Sequence, residues 1–449
     1  MEKKLNMEAL RELLERRDYH ALRAALAQEN EVDIAEFLET LSQEQTLLVF
    51  RMLPKELAAE VFSNFSPDTQ QMIIQSATDQ EVAAIIEELY VDDAVDMLEE
   101  LPANVVKRVL KNARPDTRKR INQFLNYPDN SVGSIMTAEF ADLKQGMTVA
   151  QAIAHIRRTG DSSESIYTCY VIDSQRRLEG VLTLRELLLA RDDQLIGQLM
   201  ERDVITAETT EDQEAAVERM MRYDFISLPV VDREGRLVGI VTVDDVMDVM
   251  EEEATEDFEK MAAMAPSEKP YLKTGVFSLA KHRILWLLVL MISGMITGGI
   301  LGQYEAAFSA IPLLVTFIPM LTDTGGNAGS QSSTLVIRGM AVGEIQPTDF
   351  LRVFWKELRV SMLVGLVLST VNYIHLILTY PGNDLVALTV AAALFVTVLL
   401  AKTVGGILPM AAKLCKADPA IMAAPLITTI VDAISLIVYF NIASSLLSL

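Results

Sequence analysis

Cysteine is almost absent from this 449-residue chain: Cys169 and Cys415 are the only two. That excludes a disulfide framework and any cysteine-based zinc site. Histidine is nearly as scarce, four in all with no HExxH pair, which sets aside an intramembrane metallohydrolase. Basic residues are outnumbered, 39 Lys+Arg against 62 Asp+Glu, for a formal net charge of -23. Nucleic acid, whose phosphates need Lys and Arg, is therefore a poor partner. Cations suit such a chain, although acidity for solubility gives the same balance. The opening stretch MEKKLNMEALRELLERR is amphipathic and has no apolar signal core, so the first half is expected to stay in the cytoplasm. The shortage of positive charge is uneven. Residues 1–275 hold 54 acids and 30 Lys+Arg, whereas residues 276–449 hold 8 and 9. An acidic soluble half precedes a nearly uncharged membrane half.

Charge is scarcest in the last span, Ala417 to Leu447, where Asp432 stands alone after Asp418. About twenty apolar residues suffice to cross a membrane as a helix. An unpaired carboxylate inside one costs several kcal/mol, so Asp432 is expected to face water, protein or a cation. Pro425, Thr428, Thr429, Ser435 and Tyr439 fall near its face at offsets of three, four and seven. On one continuous helix Asp418 lies about 21 Å away and within about 40° of that face. Two readings of this polar stripe stay open: a cation path, or a packed seam with Asp432 bonded or protonated.

The first 130 residues repeat at an offset of 48. Leu53-Pro54 recurs as Leu101-Pro102, and Pro67-Asp68-Thr69 as Pro115-Asp116-Thr117. The stretches between have the 3.6 period of helices, so a small helical solenoid is expected. The second copy carries Asp92, Asp93 and Asp96 where the first has Glu44, Gln45 and Leu48. Asp92 and Asp96 are one turn apart and repel unless a cation sits between them; a solvated face is the alternative. A second repeat covers residues 133–250. YVIDSQRRLEGVLTLRELL matches PVVDREGRLVGIVTVDDVM, each copy reading helix, strand, Gly turn, strand, helix. This tandem resembles a pair of CBS domains, which implies a regulatory sensor, often for adenine nucleotides. Glu251 to Pro266 then reads as an acidic helix ended by Pro266 and Pro270.

Five apolar spans follow, at about 279–302, 311–336, 353–379, 385–412 and 419–446. Connections with Lys or Arg alternate with connections lacking them, which puts the N-terminus inside and the C-terminus outside. The second span reads as broken: FIPMLTDTGGNAGSQSSTLVIR carries Pro319, Gly325-Gly326-Asn327 and Gly329. Irregular backbone at membrane depth is tolerated only where protein or water surrounds it, and glycines let carbonyls approach an ion. Lys402 is read as snorkelling to the inside face.

PMLTDTGGNAGSQSSTLVIR, LPMAAKLCKADPAIMAAPLITTIVD, the CBS pair and the helical domain before it together resemble the MgtE family of bacterial magnesium channels and transporters, over essentially the whole chain. The resemblance implies a multidomain membrane protein in five parts. These are an all-α helical-repeat domain (1–131), α/β tandem CBS domains (132–195 and 196–250), a linking plug helix (251–275) and a five-helix transmembrane domain (276–449). It further implies a homodimer with ten membrane helices in the bacterial inner membrane and a pore on the two-fold axis. Pore lining and ion selectivity would fall to Asp432, Asn327, Gly325, Gly326 and Thr428. Regulatory Mg2+ would bind Glu60, Asp92, Asp96, Asp212, Asp224, Asp245, Asp248, Glu253, Glu256, Asp257 and Asp418. ATP or another adenine nucleotide would sit in the CBS cleft near Thr183 and Thr242. Asp323 has two readings, pore or buried.

The implied function is magnesium uptake, closed by cytoplasmic Mg2+ and without catalysis. Magnesium dehydrates reluctantly, so a ring of two Asp432, Asn327 and carbonyls would hold the hydrated ion, weakly enough for it to leave. Oxygen-only ligands favour magnesium, calcium or manganese over zinc or copper, and a broader divalent transporter, of cobalt and manganese, is an alternative. The rival class is a nucleotide-sensing membrane receptor or scaffold without transport, which has no need of Asp432.

Overall fold

The structure is a computed structural model that describes residues 7–267, 271–272, 274–422 and 424–447. Pro270 and Ala423 therefore lie outside the described residues. The chain forms two compact units, residues 1–250 and 251–449.

The first unit opens with ten short helices among the described residues, from α1 (Met7–Glu15) to α10 (Pro115–Phe124). The proline marks of the repeat are helix starts. Pro54 and Pro102 cap α5 (Lys55–Ser63) and α9 (Ala103–Asn112), while Pro67 and Pro115 are first residues of α6 (Pro67–Ser76) and α10. Proline fits there because its missing N–H would be unpaired in any case. The acid-rich copy is α8 (Val91–Glu100). Two three-stranded sheets follow. β1 (Phe140–Leu143), β2 (Ser165–Ile172) and β3 (Leu178–Thr183) make the first, and β4 (Ala207–Glu208), β5 (Ser227–Val231) and β6 (Leu237–Thr242) the second. In each the first strand pairs parallel and the third antiparallel to the middle one. The helices among them are α11 (Val149–Thr159), α12 (Leu184–Leu189), α13 (Ile196–Leu199) and α14 (Gln213–Tyr223). Gly180 and Gly239 occupy equivalent places in β3 and β6. A Cβ there would lie 2.7 Å from the Glu201 carbonyl oxygen and 2.6 Å from that of Thr137. The copies therefore join where only glycine allows the backbones to close. Tyr170 and Ser227 tie the sheets by a 2.7 Å bond between hydroxyls.

The acidic linking helix differs from expectation. It is the end of α15 (Val243–Met261), continuous with the closing helix of the second CBS copy. It stops five residues before Pro266, because Ala263 turns left-handed (φ 53°) and the Ser267 N–H is held by Glu259 Oε2 at 2.7 Å.

The second unit contains α16 (Val276–Gly302), α17 (Glu305–Ala310), α18 (Ile318–Ala341), α19 (Phe350–Thr379), α20 (Asp384–Leu414) and α21 (Ala424–Leu447). Among the described residues, α16, α20 and the segments Pro347–Thr379 and Pro419–Leu447 are long and apolar enough to cross a membrane. The remaining expected span, the second, is α18, which is long enough but carries a polar face. It packs between α20 and α21. A Cβ on Gly405 of α20 would collide with the carbonyl of Gly329 on α18. Small residues are what let membrane helices approach this closely.

Candidate functional site

The expected break in the second span is absent: α18 runs unbroken through Gly325, Gly326 and Gly329. The glycines serve helix packing instead. A Cβ on Gly325 would lie 2.9 Å from Val431 Cγ1 and 3.0 Å from Ser435 Oγ, and one on Gly326 would lie 2.8 Å from Thr428 Cγ2. The irregular part lies upstream, in the 3-10 stretch Pro312–Phe317. Carbonyls at 325 and 326 are therefore engaged in the helix, so the expectation that they approach an ion is corrected. Hydroxyls fold back onto the same backbone, Thr322 Oγ1 donating to the Ile318 carbonyl (3.1 Å) and Ser330 Oγ to that of Gly326 (2.8 Å).

With the glycines turned inward, the opposite face of α18 carries Asp323, Asn327, Gln331, Thr334 and Arg338. Their spacings of four, four, three and four put them on one stripe, and all five are exposed in the single chain. A bare polar stripe does not face lipid. It needs water or another copy of the protein.

On α21 the anticipated polar stripe divides. Tyr439 is fully buried with its hydroxyl donating to the Leu314 carbonyl at 2.9 Å, and Ser435 Oγ donates to the Val431 carbonyl at 2.6 Å. Thr429 does the same to Pro425 at 2.9 Å. That part is a packed seam. Asp432 is different: its Oδ1 is buried without a hydrogen-bond partner. Asp418 is not on this helix. It precedes the 3-10 turn Pro419–Met422 and accepts the Ala420 N–H at 2.8 Å, so the 21 Å single-helix relation does not hold.

Two further ionisable groups of the membrane unit are partnered. Lys402 does not snorkel. It is 5% exposed, and its Nζ donates to Gln331 Oε1 at 3.3 Å. Glu357 Oε2 accepts Ser332 Oγ at 2.6 Å. Near the end of α15, Lys260 Nζ bridges Asp418 Oδ2 (2.7 Å) and Glu256. Asp257 beside them has its carboxyl raised by burial and by Asp418. Here a lysine ammonium stands where a divalent ion was expected to bind, and Glu253 lies on the same acidic turn.

In the first unit the fold brings Asp92 and Asp93 of α8 towards Asp245 and Asp244 of α15 and towards Glu164. Burial first, then mutual repulsion, pushes Asp93 and Asp245 up to about 6 and Glu164 up to about 7, and Asp92 well above its usual value. Asp92 Oδ1 and Glu164 Oε2 are buried without hydrogen-bond partners. Asp93 and Glu164 were not anticipated. Asp93 adjoins a predicted acid, but no spacing links Glu164 to α8. Asp96 and Asp248 are exposed. Glu60 is exposed as well, and partial desolvation of its carboxyl, with Glu31 and Glu56 nearby, raises it. Asp212 and Asp224 are not brought together: Asp212 caps the start of α14 and left-handed Asp224 its end. Among the described residues no three acids converge closely enough to hold a metal ion. The candidate nucleotide threonines serve as helix caps. Thr183 Oγ1 donates to Glu186 (2.9 Å) and Thr242 Oγ1 to Asp245 (2.5 Å).

Comparison with known proteins finds family profiles, relatives and solved structures that match. A family profile described as a divalent cation transporter, MgtE, matches residues 318–442. The MgtE intracellular N domain matches 29–130, and the CBS domain matches 132–193 and 196–252. A magnesium transporter MgtE of Thermus thermophilus is 38% identical over 100% of this chain and 99% of its own length. One of Bacillus subtilis is 37% identical over 73% and 72%. Among solved structures, the soluble part of a magnesium transporter matches with TM-score 0.54 and 29% identity over 55% of this chain and 98% of its own. The cytosolic domain of the Mg2+ channel MgtE in complex with ATP matches with TM-score 0.51 and 38% identity over 54% and 99%.

The raised carboxyls give a signed prediction. Their folded-state values exceed the unfolded ones, so the stabilisation they contribute is full below about pH 4 and is lost as pH rises through 6 to 7. The metal-free first unit is therefore expected to melt at lower temperature at pH 8 than at pH 5. Millimolar Mg2+ should restore the difference at pH 8 and do little at pH 5. Glu164→Gln should flatten the pH dependence. Thermal melts of the purified protein check it, and a Mg2+ effect equal at both pH values contradicts it.

Proposed function

The chain belongs to the MgtE family of divalent cation transporters, and from that membership we propose that this multi-pass membrane protein is a magnesium-selective channel acting as a homodimer. The observation that carries the proposal is the unpartnered, buried oxygen of Asp432 on α21, the helix that packs on α18. One carboxylate is a poor site for a divalent ion. Two, related by a dimer axis, would supply the charge, and Asn327 would offer side-chain oxygen to the waters of a hydrated Mg2+. Gly325, Gly326 and Thr428 would act by packing: they bring α18 against α21 so that Asp432 and Asn327 share one lumen. Selection would rest on size and charge of the hydrated ion, with binding weak enough for release. The basic connections support an inside N-terminus and an outside C-terminus in a bacterial inner membrane.

The acids of the soluble half would report cytoplasmic magnesium. With little Mg2+, Asp92, Asp93, Asp245 and Glu164 repel one another. With much, ions bridge these and the other acidic faces, Asp96, Asp248, Asp212, Asp224 and Glu60 among them. The domains then close and the end of α15, the plug helix, shuts the path. This is a two-state element biased by ligand. Lys260 would hold part of that contact without magnesium. ATP at the CBS pair would tune magnesium affinity, an assignment supported by the ATP complex of the similar cytosolic domain.

A nucleotide receptor without transport gives no role to Asp432. Ion flux into liposomes, compared for magnesium, calcium, manganese and cobalt, tests the proposal. Asp432→Ala is expected to abolish or strongly reduce selective magnesium flux at equal membrane abundance and with the dimer intact. Wild-type flux and selectivity in the mutant would overturn it.

Removing residues 1–131 tests the gate. The closed state then loses Asp92, Asp93 and Asp96, and with them ion bridges worth about 1–3 kcal/mol each, the usual scale of coupling between sites. The cytoplasmic Mg2+ midpoint for closure is expected to rise several-fold with conductance unchanged. Patch recordings at stepped Mg2+ check this, and an unchanged midpoint means that the solenoid takes no part in sensing.

A further inference from the structure

We propose that Asp323 is a second carboxylate of the same path, placed to gather hydrated divalent cations ahead of Asp432 and so to set the concentration at which transport saturates. The inference deepens the proposed function and rests on it.

Asp323 is the first polar residue of the exposed stripe on α18, four residues before Asn327 on the same face. Its level relative to Asp432 follows from the glycines. Gly325 packs on Val431 and Ser435, and Gly326 on Thr428, which are the residues flanking Asp432 on α21. Asp323 lies two residues before this contact, a rise of about 3 Å along α18. Among the described residues Asp323 is near enough for its charge to be felt at Asp432. Among the described residues it makes no ion pair, and the basic residue on its own stripe, Arg338, is fifteen positions away, about 22 Å along the axis.

A transmembrane carboxylate that is neither buried in the seam nor paired is held in place by the water it faces. Its chemistry towards magnesium is outer-sphere: the carboxylate accepts hydrogen bonds from coordinated waters, so the ion need not shed its shell. Its Coulomb energy is twice as large for a divalent as for a monovalent ion. A wall of one sign also raises the local concentration of counterions and their rate of entry. Two copies of Asp323 and two of Asp432 would make four carboxylates in one short stretch, the first pair for capture and the second for selection. The amides of Asn327 and Gln331 and the base Arg338 follow on the stripe, so the attraction fades along the direction in which the ion leaves.

The test is initial Mg2+ flux against concentration in liposomes holding the full-length protein, for wild type, Asp323→Asn, Asp323→Glu and Asp432→Asn. Asp323→Asn is expected to raise the half-saturating Mg2+ concentration about three- to tenfold, with the maximal flux within about twofold of wild type. The shift should shrink at high monovalent salt, and Asp323→Glu should largely restore the wild-type curve. An unshifted curve for Asp323→Asn, or a lower maximum with the same half-saturation, overturns the role assigned to Asp323. If Asp432→Asn abolishes flux while Asp323→Asn behaves as wild type, only this inference fails. If Asp432→Asn leaves flux intact, the path itself is misassigned and both fail.

Discussion

A carboxylate placed in hydrocarbon has to be neutralised, bonded or wetted, because the cost of leaving it bare exceeds what helix packing returns. That constraint orders the membrane unit around Asp432. Lys402 and Glu357 also lie within the membrane helices, and each has a partner, Gln331 and Ser332. Asp432 keeps a buried oxygen without one. The glycines of α18 let that helix lie against α20 and α21 and turn its polar stripe to the open side. The hydroxyls of Thr429, Ser435 and Tyr439 on α21 donate to backbone carbonyls. A second copy facing the stripe would enclose a polar lumen.

The soluble acids obey the same electrostatics with a different outcome. Asp92, Asp93, Asp245 and Glu164 repel one another, with no cation among the described residues acting on them, and repulsion adds to burial in raising their affinity for protons. A proton and a divalent ion are alternative ways to relieve that arrangement. Near the membrane unit the protein supplies its own cation, Lys260, between Glu256 and Asp418. Acidic groups already neutralised by lysine respond to magnesium only by exchange. The contrast separates a contact that needs the ion from one that the ion strengthens.

Much of this was legible in the sequence because it repeats or alternates. The 48-residue offset marked helix starts through Pro54, Pro102, Pro67 and Pro115, and the apolar runs marked β2, β3, β5 and β6. The strands β1 and β4, of four and two residues, are too short to carry a period. The glycines of α18 were misread for a physical reason: glycine weakens an isolated helix, and here packing against two neighbours outweighs that preference. Asp432 was readable as a lone charge. Which of its neighbours are bonded into the packed seam was not, since Ser435 and Tyr439 share its face and are told apart from it only by what packs on them. Glu164 meets α8 across some seventy positions of chain, and Lys402 meets Gln331 across a similar distance; contacts of that range leave no local pattern.

The central claim is that one path, lined by Asp432 from two copies, carries the ion. Dimers purified through two different affinity tags, carrying Asp432→Asn in neither, one or both copies, test it directly by magnesium conductance and selectivity. A shared path predicts that a single substitution changes the whole current, with conductance and selectivity both displaced from wild type. A current that falls to half with its selectivity unchanged would mean that each copy carries its own path, and would contradict the account.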